Sequence, residues 1–561
     1  MKNCYNRTTL ALLTLIGTSP LVAANTPNAG SLNKQIYPEH SLPKQKPSGE
    51  LFPLQATRQY TNKQHTFSFK LTGIHLVSLD DQPLNDDISQ ITQHYLNKPV
   101  RLNDLEKLTH AITQYYRHQN YLIARAILPP QEIENGIVTI KLLKGELGKI
   151  SINNQSALKD QFVTRLANTT VASRSFVYKD ELEKFALQLN DIAGVKSDLK
   201  LRASPQAGKT DLQVNLQNHK RFSGYLAADN LGTSSTGRYR FHTGIKSHNF
   251  LGFGDELKLD ALSSNTAGLK NIRLDYSQLI DGYGTRLGVN VSHLNYKLAG
   301  SFRPLDAKGK ANTLGAYFSH PTIRTTDLRL NTKLAFNHQQ LIDEQKAVNL
   351  KQTRHINMLN LGFNGAWNSV KNGVSYFGFN VVLGRENNKS NERKHNLAED
   401  FKPNKKFSLV NYTFSHEQTL PQNLSFSLSA NGQFSDTNLD SSQKLSLGGL
   451  SAVRGYATGA VSVDEGHIFQ AELKHQLAVF SSSILSNSVF YDYAFGRYYK
   501  RPQVFEKLTT NNVTLQSAGI ALSLNAPNNY ALNVTWAKPL EKKFVTKDSN
   551  LFCSMQLKPF N

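Results

Sequence analysis

An arginine and an aspartate in separate segments are the two residues of this chain best suited to act as a pair. Arg454 lies within the tetrapeptide 453–456, in a polar stretch that runs from 436 to 466. Asp492 ends the tripeptide 490–492, in a segment that alternates polar and apolar residues. A guanidinium and a carboxylate form strong, charge-assisted hydrogen bonds that can be made and broken without covalent chemistry. The chemistry expected here is therefore a reversible ionic contact.

The second half of the chain must supply the elements that carry these residues. From residue 221 onward helical periodicity disappears, and alternating segments follow one another between Gly, Asn, Asp and Pro turns. In 271–277 and 530–536, apolar residues take one face and polar residues the other. Such strands are typical of a transmembrane β-barrel, with its apolar outside and polar inside. We predict 16 antiparallel strands, at 221–232, 237–249, 254–265, 269–280, 284–298, 309–320, 328–341, 353–367, 373–386, 407–418, 423–435, 467–479, 487–497, 510–524, 530–540 and 550–560.

The lengths of the connections support this strand count. An even number of strands puts both barrel ends on the periplasmic side, so odd connections are surface loops and even ones are short turns. Even turns such as 252–254 and 526–529 are short. The longest connections, 387–406 and 436–466, both fall on odd positions.

Strand alternation also predicts which side chains face the lumen. An aspartate that faces lipid is costly, so Asp492 must point inward, and Phe490 shares its face while Tyr491 faces lipid. On the twelfth predicted strand, the face opposite the apolar residues carries Gln470, Glu472 and Lys474. We expect these three side chains to line the lumen.

The first 218 residues divide into a targeting segment, a leader and two similar units. Residues 1–24 have the basic start, apolar run and small terminal residues of a secretory signal peptide. Residues 25–64 are polar and proline-rich, which indicates a mostly extended linker. Residues 65–145 and 146–218 each read as β-α-α-β-β, from alternating runs and from apolar residues at spacings of three and four.

The two α/β units resemble tandem POTRA domains, and the barrel with its loop motif resembles the outer-membrane protein-transport superfamily. Within that superfamily it resembles in particular the two-partner-secretion transporters (TpsB proteins) of the haemolysin-activator, filamentous-haemagglutinin and CdiB type. These export one large exoprotein, which is an adhesin, a haemolysin or a contact-dependent inhibition toxin. In the first unit the resemblance is carried by Tyr121, Arg125, Pro129, Gln131 and Gly136. In the barrel it is carried by Val453, Arg454, Gly455, Tyr456, Phe490 and Asp492.

This resemblance implies a transporter in the outer membrane, with its POTRA domains in the periplasm. It would be a monomer, assembled by the barrel-assembly machinery among outer-membrane lipid and lipopolysaccharide, and it would secrete one large exoprotein bound by the POTRA domains. The loop 436–466 would fold into the lumen, where Arg454 would meet Asp492 as a latch. Relatives often carry a plug helix in the leader, and here it would be short, between Asn25 and Tyr37, or absent. The last residue, Asn561, departs from the aromatic residue that is usual there.

Composition and motifs exclude several other functions. The net charge is +22, but the basic residues are scattered and no nucleic-acid-binding motif accompanies them. No P-loop, H-E-x-x-H, paired-cysteine or G-x-S-x-G pattern occurs, so we expect no enzyme, no metal and no cofactor. Cys553 is the only cysteine after the signal peptide, which precludes an internal disulfide. The remaining alternatives are an insertase of the same superfamily, a passive porin-like channel, and an adhesin or enzyme on a barrel anchor.

Overall fold

The structure is a computed structural model of the full chain. It describes residues 26–36, 51–52, 67–172, 175–266, 268–369, 372–390, 405–480, 482–501, 511–541, 544 and 548–559. The predicted signal peptide and the last two residues lie outside this set. None of the helices within the described ranges has the length and apolar character needed to cross a membrane.

The leader contributes one short helix, α1 (Ala29–Ile36). It lies within the window in which the sequence allowed a short plug helix, and it occupies the lumen of the barrel. Eight residues are too few for a stable isolated helix, so tertiary contacts must hold it. Ala29 and Leu32 are buried against inward-facing barrel residues that include Leu294 and Tyr296.

The first α/β unit has five short strands and two helices. Strand β2 pairs in parallel with β5, which pairs antiparallel with β4, and β1 pairs with β3. One face of helix α3 packs on this sheet through Leu105, Leu108 and Ile112. The elements are β1 (Ser68–Lys70), β2 (Gly73–Val77), α2 (Ser89–Thr92), β3 (Pro99–Arg101), α3 (Leu102–His118), β4 (Arg125–Ile127) and β5 (Ile137–Leu143).

The second α/β unit is a three-stranded sheet covered by two helices. The strand order is β6-β8-β7, with β6 and β8 parallel, so β6 and β7 form the two edges. Leu182, Phe185 and Leu189 of the second helix are fully buried on the sheet. The elements are β6 (Glu146–Gln155), α4 (Asp160–Thr170), α5 (Lys179–Asn190), β7 (Val195–Ala203) and β8 (Lys209–Asn218).

Sixteen antiparallel strands then close into a barrel, which confirms the predicted fold class and strand number. The closing contact, between the last strand and the first, is made by four residue pairs, from Ser554↔Asp229 to Leu557↔Leu226. The strands are β9 (Phe222–Asp229), β10 (Arg240–His248), β11 (Glu256–Ser264), β12 (Leu269–Leu279), β13 (Arg286–Lys297), β14 (Ala307–Arg324), β15 (Leu328–Gln345), β16 (Leu350–Ser369), β17 (Gly373–Ser390), β18 (Lys406–Thr419), β19 (Leu424–Ser435), β22 (Glu465–Phe480), β23 (Ser483–Arg497), β24 (Asn512–Ala526), β25 (Tyr530–Pro539) and β26 (Asn550–Leu557). Two short strands between β19 and β22, β20 (Leu445–Ser446) and β21 (Ser462–Val463), are not part of the barrel.

Strands β14–β17 are longer than the sequence predicted. They have 18, 18, 20 and 18 residues, and most of the added length lies at their extracellular ends. Strand pairing continues there although the outward residues are polar, because backbone hydrogen bonds do not depend on side-chain type. The wall of the barrel is therefore taller on this side.

Candidate functional site

The segment between β19 and β22, residues 436–464, folds back into the barrel; we call it the lumenal loop. Two short strands within it, β20 (Leu445–Ser446) and β21 (Ser462–Val463), pair with each other. Apolar loop residues pack against inward side chains of β22, β23 and β24. Buried apolar contacts of this kind hold the loop against the wall.

Arg454 is bound to Asp492 of β23 by several hydrogen bonds. Its Nη2 donates to Oδ1 at 2.7 Å and its Nε donates to Oδ2 at 2.9 Å, which is bidentate geometry. The backbone N–H of Arg454 also donates to Oδ2, at 3.0 Å. Ser517 of β24 donates to the same oxygen at 3.1 Å. Asp492 is completely buried, so these donors replace the water that its charge would otherwise require.

Two further wall residues complete the surroundings of the guanidinium. Nη1 of Arg454 donates to Oε2 of Glu472 on β22 at 2.7 Å. The guanidinium lies over the ring of Phe490, 3.3 Å from its centroid, which is cation–π geometry. The one arginine therefore contacts two carboxylates and an aromatic face on two adjacent strands.

The residues on either side of Arg454 fit against the wall through close packing. A Cβ on Gly455 would lie 2.6 Å from Cβ of Ser517 and 2.8 Å from the backbone nitrogen of Pro539, so only glycine fits without displacement. The carbonyl of Gly455 accepts from Nδ2 of Asn550 at 2.6 Å. Tyr456 is 1% exposed, and its hydroxyl donates to the carbonyl of Glu541 at 3.0 Å. Val453 is also fully buried, in the apolar cluster of the loop.

The three residues predicted to line the lumen on β22 behave differently from one another. Gln470 donates from Nε2 to the carbonyl of Ala452 in the loop at 2.8 Å. Glu472 binds Arg454 as described. Lys474 has the same orientation, but it pairs in register with Ser425 and Ser488 and lies farther along the strand from the residues that contact Arg454. The structure thus brings two of the three to the loop.

A second ionic cluster, which the sequence did not reveal, lies on the other side of the lumen. Arg354 of β16 contacts Asp343 of β15 and Asp440 of the lumenal loop, and it is 3% exposed. Asp343 also accepts from the hydroxyl of Tyr296 at 2.5 Å. Alternation along the strands places Arg354 and Asp343 inward, and this is the only feature of the sequence that could have pointed to the cluster. However, many inward residues are polar, and parity does not identify partners.

Helix α1 is attached to this second cluster and to the lumenal loop. The backbone N–H of Ala29 donates to Oδ1 of Asp343 at 2.8 Å. Nζ of Lys34 donates to the carbonyl of Gln443 at 2.7 Å. A Cβ on Gly30 would lie 2.7 Å from Cβ of Ser442, so helix and loop are in direct contact. The helix and the loop therefore occupy part of the lumen together, beside a cavity lined by inward residues of β12–β18.

The residues singled out in the first α/β unit have structural contacts. Gln131 binds the backbone of β5 twice: its Oε1 accepts from Thr139 N–H at 2.7 Å, and its Nε2 donates to Thr139 C=O at 2.8 Å. Pro129 precedes it in the same turn, and its carbonyl is 3.3 Å from Nε2 of Gln131. Gly136 has φ +74°, and a Cβ there would lie 2.3 Å from the carbonyl of Lys70.

Arg125 and Tyr121, the other two residues that carry the resemblance in the first unit, lie away from this turn. Arg125 is exposed at the start of β4, paired in register with Leu143. The ring of Tyr121 packs on Tyr178 of the second unit, with centroids 5.0 Å apart. Tyr121 therefore joins the two units.

A charged group of the first unit shows a shifted pKa. Asp86 is bound by Nζ of Lys144 at 2.8 Å and by the hydroxyl of Tyr116 at 2.7 Å. Burial by itself raises the pKa of Asp86, but these hydrogen bonds and the lysine charge outweigh it, so its pKa lies below the usual value.

The second unit is joined to the periplasmic end of the barrel. Asp191, just after α5, accepts from Nε of Arg324 on β14 at 2.6 Å. Gln188 donates to the carbonyl of Tyr283 at 2.9 Å, and Thr169 donates to that of Gly282 at 2.7 Å. These contacts place the unit beside the turn between β12 and β13.

Comparisons with known proteins agree with this architecture. Residues 208–525 match the family described as haemolysin secretion/activation protein ShlB/FhaC/HecB, and residues 69–145 match the POTRA domain of ShlB type. The heme/hemopexin transporter protein HuxB of Haemophilus influenzae (strain 86-028NP) is 49% identical over 542 residues, 96% of each chain. The outer membrane transporter CdiB of Dickeya dadantii (strain 3937) is 23% identical over 72% of each chain.

Solved structures share the fold at low sequence identity. CdiB from Escherichia coli aligns with a TM-score of 0.70 and 18% identity, over 90% of this chain and 93% of that one. BamA from Haemophilus ducreyi lacking POTRA domains 1–3 aligns with a TM-score of 0.51 and 16% identity, over 87% and 100%. At these identities the likeness concerns the fold alone.

The fold and the lumen define an outer-membrane protein transporter with periplasmic POTRA domains. The chain belongs to the haemolysin secretion/activation family ShlB/FhaC/HecB. It is thus a transporter of the two-partner-secretion type, which exports a partner exoprotein across the outer membrane. Within the described ranges, no group of three metal-ligating side chains comes together.

Proposed function

We propose that this transporter exports one large exoprotein that serves the acquisition of heme from hemopexin. The observation that carries this proposal is the 49% identity to the heme/hemopexin transporter HuxB, which extends over 96% of both chains. The CdiB relatives, at 23% identity or less, are far more distant. An adhesin, a haemolysin and a contact-dependent toxin are the other cargo classes.

The POTRA domains are the proposed entry point for the exoprotein. Strands β6 and β7 are the edges of the second sheet, and an extended client can add a strand to such an edge through backbone hydrogen bonds. Backbone bonding requires little of the client's sequence, which suits a long unfolded chain. The contacts of Asp191 and Gln188 with the barrel would deliver the client to the periplasmic mouth.

The lumenal loop and helix α1 are the proposed gate. Both occupy the lumen, so both must rearrange before a polypeptide passes. Arg454 and Asp492 act in this proposal as a latch that holds the loop at one wall. A buried ion pair contributes little net stability, but a state in which one of its charges stays buried without the other is costly. This favours two discrete states of the loop, one docked with the pair formed and one released.

The proposal also covers the oligomeric state, the activity and the assembly of the chain. We propose that it acts as a monomer, has no enzymatic activity of its own and is inserted by the barrel-assembly machinery. The likeness to BamA concerns the fold alone. Two α/β units and a lumen occupied by helix α1 and the lumenal loop fit export better than insertion. A passive channel would leave the POTRA domains and the latch without a role.

Co-expression of the transporter with a candidate hemopexin-binding exoprotein tests the proposal. In a secretion-deficient host, we expect the exoprotein to become accessible to external protease only when the transporter is present, and to bind hemopexin. Retention in the periplasm would contradict export by this chain. Export of a protein that does not bind hemopexin would contradict the cargo class and leave the export function intact.

A further inference from the structure

The outward surface of strands β13–β16 changes from apolar to polar partway along each strand, with Ile342 of β15 the one apolar residue beyond the change. On β14 the outward residues change from Leu314 to Asn312, and on β15 from Phe336 to His338. On β16 they change from Leu359, which is 46% exposed, to Asn357. The register places these changes side by side, because Leu314 pairs with His338 and His338 pairs with Asn357. A polar outward surface therefore begins at one level across neighbouring strands.

These polar side chains are bonded to one another across the strands. Nδ1 of His293 lies 2.5 Å from Oδ1 of Asn312, whose Nδ2 donates to Oε1 of Gln340 at 3.0 Å. Nδ1 of His338 lies 2.7 Å from Oδ1 of Asn357. The surface is thus an organised hydrogen-bonding ladder. We call it the outer polar face; its members are His293, Asn295, Asn312, His338, Gln340, His355, Asn357 and Asn387.

Basic side chains border the outer polar face. Lys270 pairs in register with Asn295, and Asn295 pairs with Lys310, so both lysines flank that asparagine. Arg385 pairs with Asn357 and with Lys406, and both basic residues are exposed. Among the described outward residues of β12–β18, Glu344 is the one carboxylate, and it is paired with Lys308 at 3.2 Å. The face therefore has a positive border.

The position of the face identifies its surroundings. Polar side chains at the hydrocarbon level are costly, so the apolar band must end near Leu314. Leu314 and Lys308 are six positions apart on β14. At about 3.3 Å per residue and a tilt of about 40°, these positions rise roughly 15 Å. That height corresponds to the headgroup layer of the outer leaflet. In the outer membrane this layer consists of phosphorylated sugars.

We propose that the outer polar face binds the phosphorylated sugar headgroup of a glycolipid of the lipopolysaccharide type. Lysine and arginine would contact the phosphates, and the amide and imidazole groups would hydrogen-bond to the sugar hydroxyls. Charge complementarity and height favour this occupant over a second copy of the chain, whose identical face would bring positive charges together.

The opposite side of the barrel shows that the feature is local. On β23 the outward residues Val489, Tyr491 and Phe495 remain exposed and mostly apolar almost to the extracellular end. Trp536 of β25 and Leu551 of β26 do the same. Headgroup binding would therefore anchor the barrel on one side, opposite the strands that carry the latch. This inference rests on the outer-membrane location and is independent of which exoprotein is exported.

Two charge-matched double variants of the full-length chain test the proposal. Lys270→Gln with Lys310→Gln removes two positive charges beside the face. Arg497→Gln with Lys538→Gln removes two from exposed outward positions at the extracellular ends of β23 and β25. Each protein is extracted from outer membranes in mild detergent, and retained lipopolysaccharide is measured by native mass spectrometry. Heat-modifiable electrophoretic migration verifies that each barrel is folded.

We expect the first pair of substitutions to reduce retained lipopolysaccharide about fivefold and the second pair to change it less than twofold. Equal loss in both variants, or no loss in either, would overturn the proposal. Should the first variant fail to fold, Arg385→Gln replaces it. If millimolar inorganic phosphate alone released the retained lipopolysaccharide, the face would be a simple anion site and the glycolipid assignment would be overturned. Cross-linking of Asn312→Cys to a second chain would show a dimer interface and overturn it as well.

Discussion

The backbone N–H of Ala29, at the start of helix α1, donates to the carboxylate of Asp343 on the barrel wall at 2.8 Å. Arg354 binds the same carboxylate and reaches Asp440 of the lumenal loop. One arginine thus connects the wall, the helix and the loop. Departure of the helix removes a hydrogen bond from Asp343, and movement of the loop removes a carboxylate from Arg354. If the helix and the loop both move in the proposed gate, these shared contacts couple the two motions.

Removing the charge of Asp343 should release the helix. The negative carboxylate favours the positive N-terminus of α1 by about 1 kcal/mol, which is roughly a fivefold change in population. We expect Asp343→Asn to increase channel opening in planar lipid bilayers by about that factor. Glu344→Gln is the matched control, because Glu344 is the next residue, faces outward and pairs with Lys308 at 3.2 Å. Equal conductance of both variants would show that Asp343 does not hold the helix.

Removing the guanidinium of Arg454 should undock the lumenal loop. Asp492, which is fully buried, would keep an uncompensated charge at a cost of about 3–5 kcal/mol. We expect Arg454→Ala to lower exoprotein secretion at least tenfold and to expose the loop to external protease. Arg454→Lys keeps the charge but loses the bidentate geometry, so its effect should be intermediate.

Lys474→Ala provides the control for the latch, because it removes a cation from the lumen at a position that does not contact Arg454 or Asp492. It should secrete normally. Wild-type secretion by Arg454→Ala, with the barrel correctly inserted, would refute the latch.

Adding one methyl group at Gly455 should have an effect similar to breaking the ion pair. The new Cβ would lie 2.6 Å from Cβ of Ser517 and 2.9 Å from Cα of Pro539, and neither the wall nor the backbone can yield easily. We expect Gly455→Ala to reduce secretion several-fold while Arg454 is retained. Gly362→Ala is the control, since its nearest atom, Oδ1 of Asn380, is 3.3 Å away. Similar secretion by both variants would argue against close docking of the loop.

Replacing Gln131 should destabilise the first POTRA domain. The substitution Gln131→Leu leaves the N–H and C=O of Thr139 without their side-chain partner, at a cost of about 1–3 kcal/mol. We expect faster hydrogen exchange of the Thr139 amide in the full-length protein. Glu132→Leu, at the exposed neighbouring position, should leave that exchange unchanged. Equal exchange in wild type and Gln131→Leu would disprove this structural role.

Local sequence patterns were enough to predict most of the barrel. Because side chains alternate along a strand, the position of Asp492 between Tyr491 and Tyr493 was enough to assign it to the lumen. Connection lengths then placed residues 436–466 on the extracellular side. The pairing of Arg454 with Asp492 came from a family resemblance, since no periodicity links a loop residue to one strand among sixteen.

The sequence by itself determined the barrel, its strand number and the direction in which most strand residues point, because a period of two is a local property of the chain. The register shifts between Pro321 and Ile323 and between Gln476 and Ala478 interrupt that period. Only the tertiary structure decided that Arg354 binds both Asp343 and Asp440, and that residues 29–36 form a helix. Those contacts join segments that meet only when the barrel closes. An eight-residue helix is stable only after Ala29 and Leu32 have a wall to pack against.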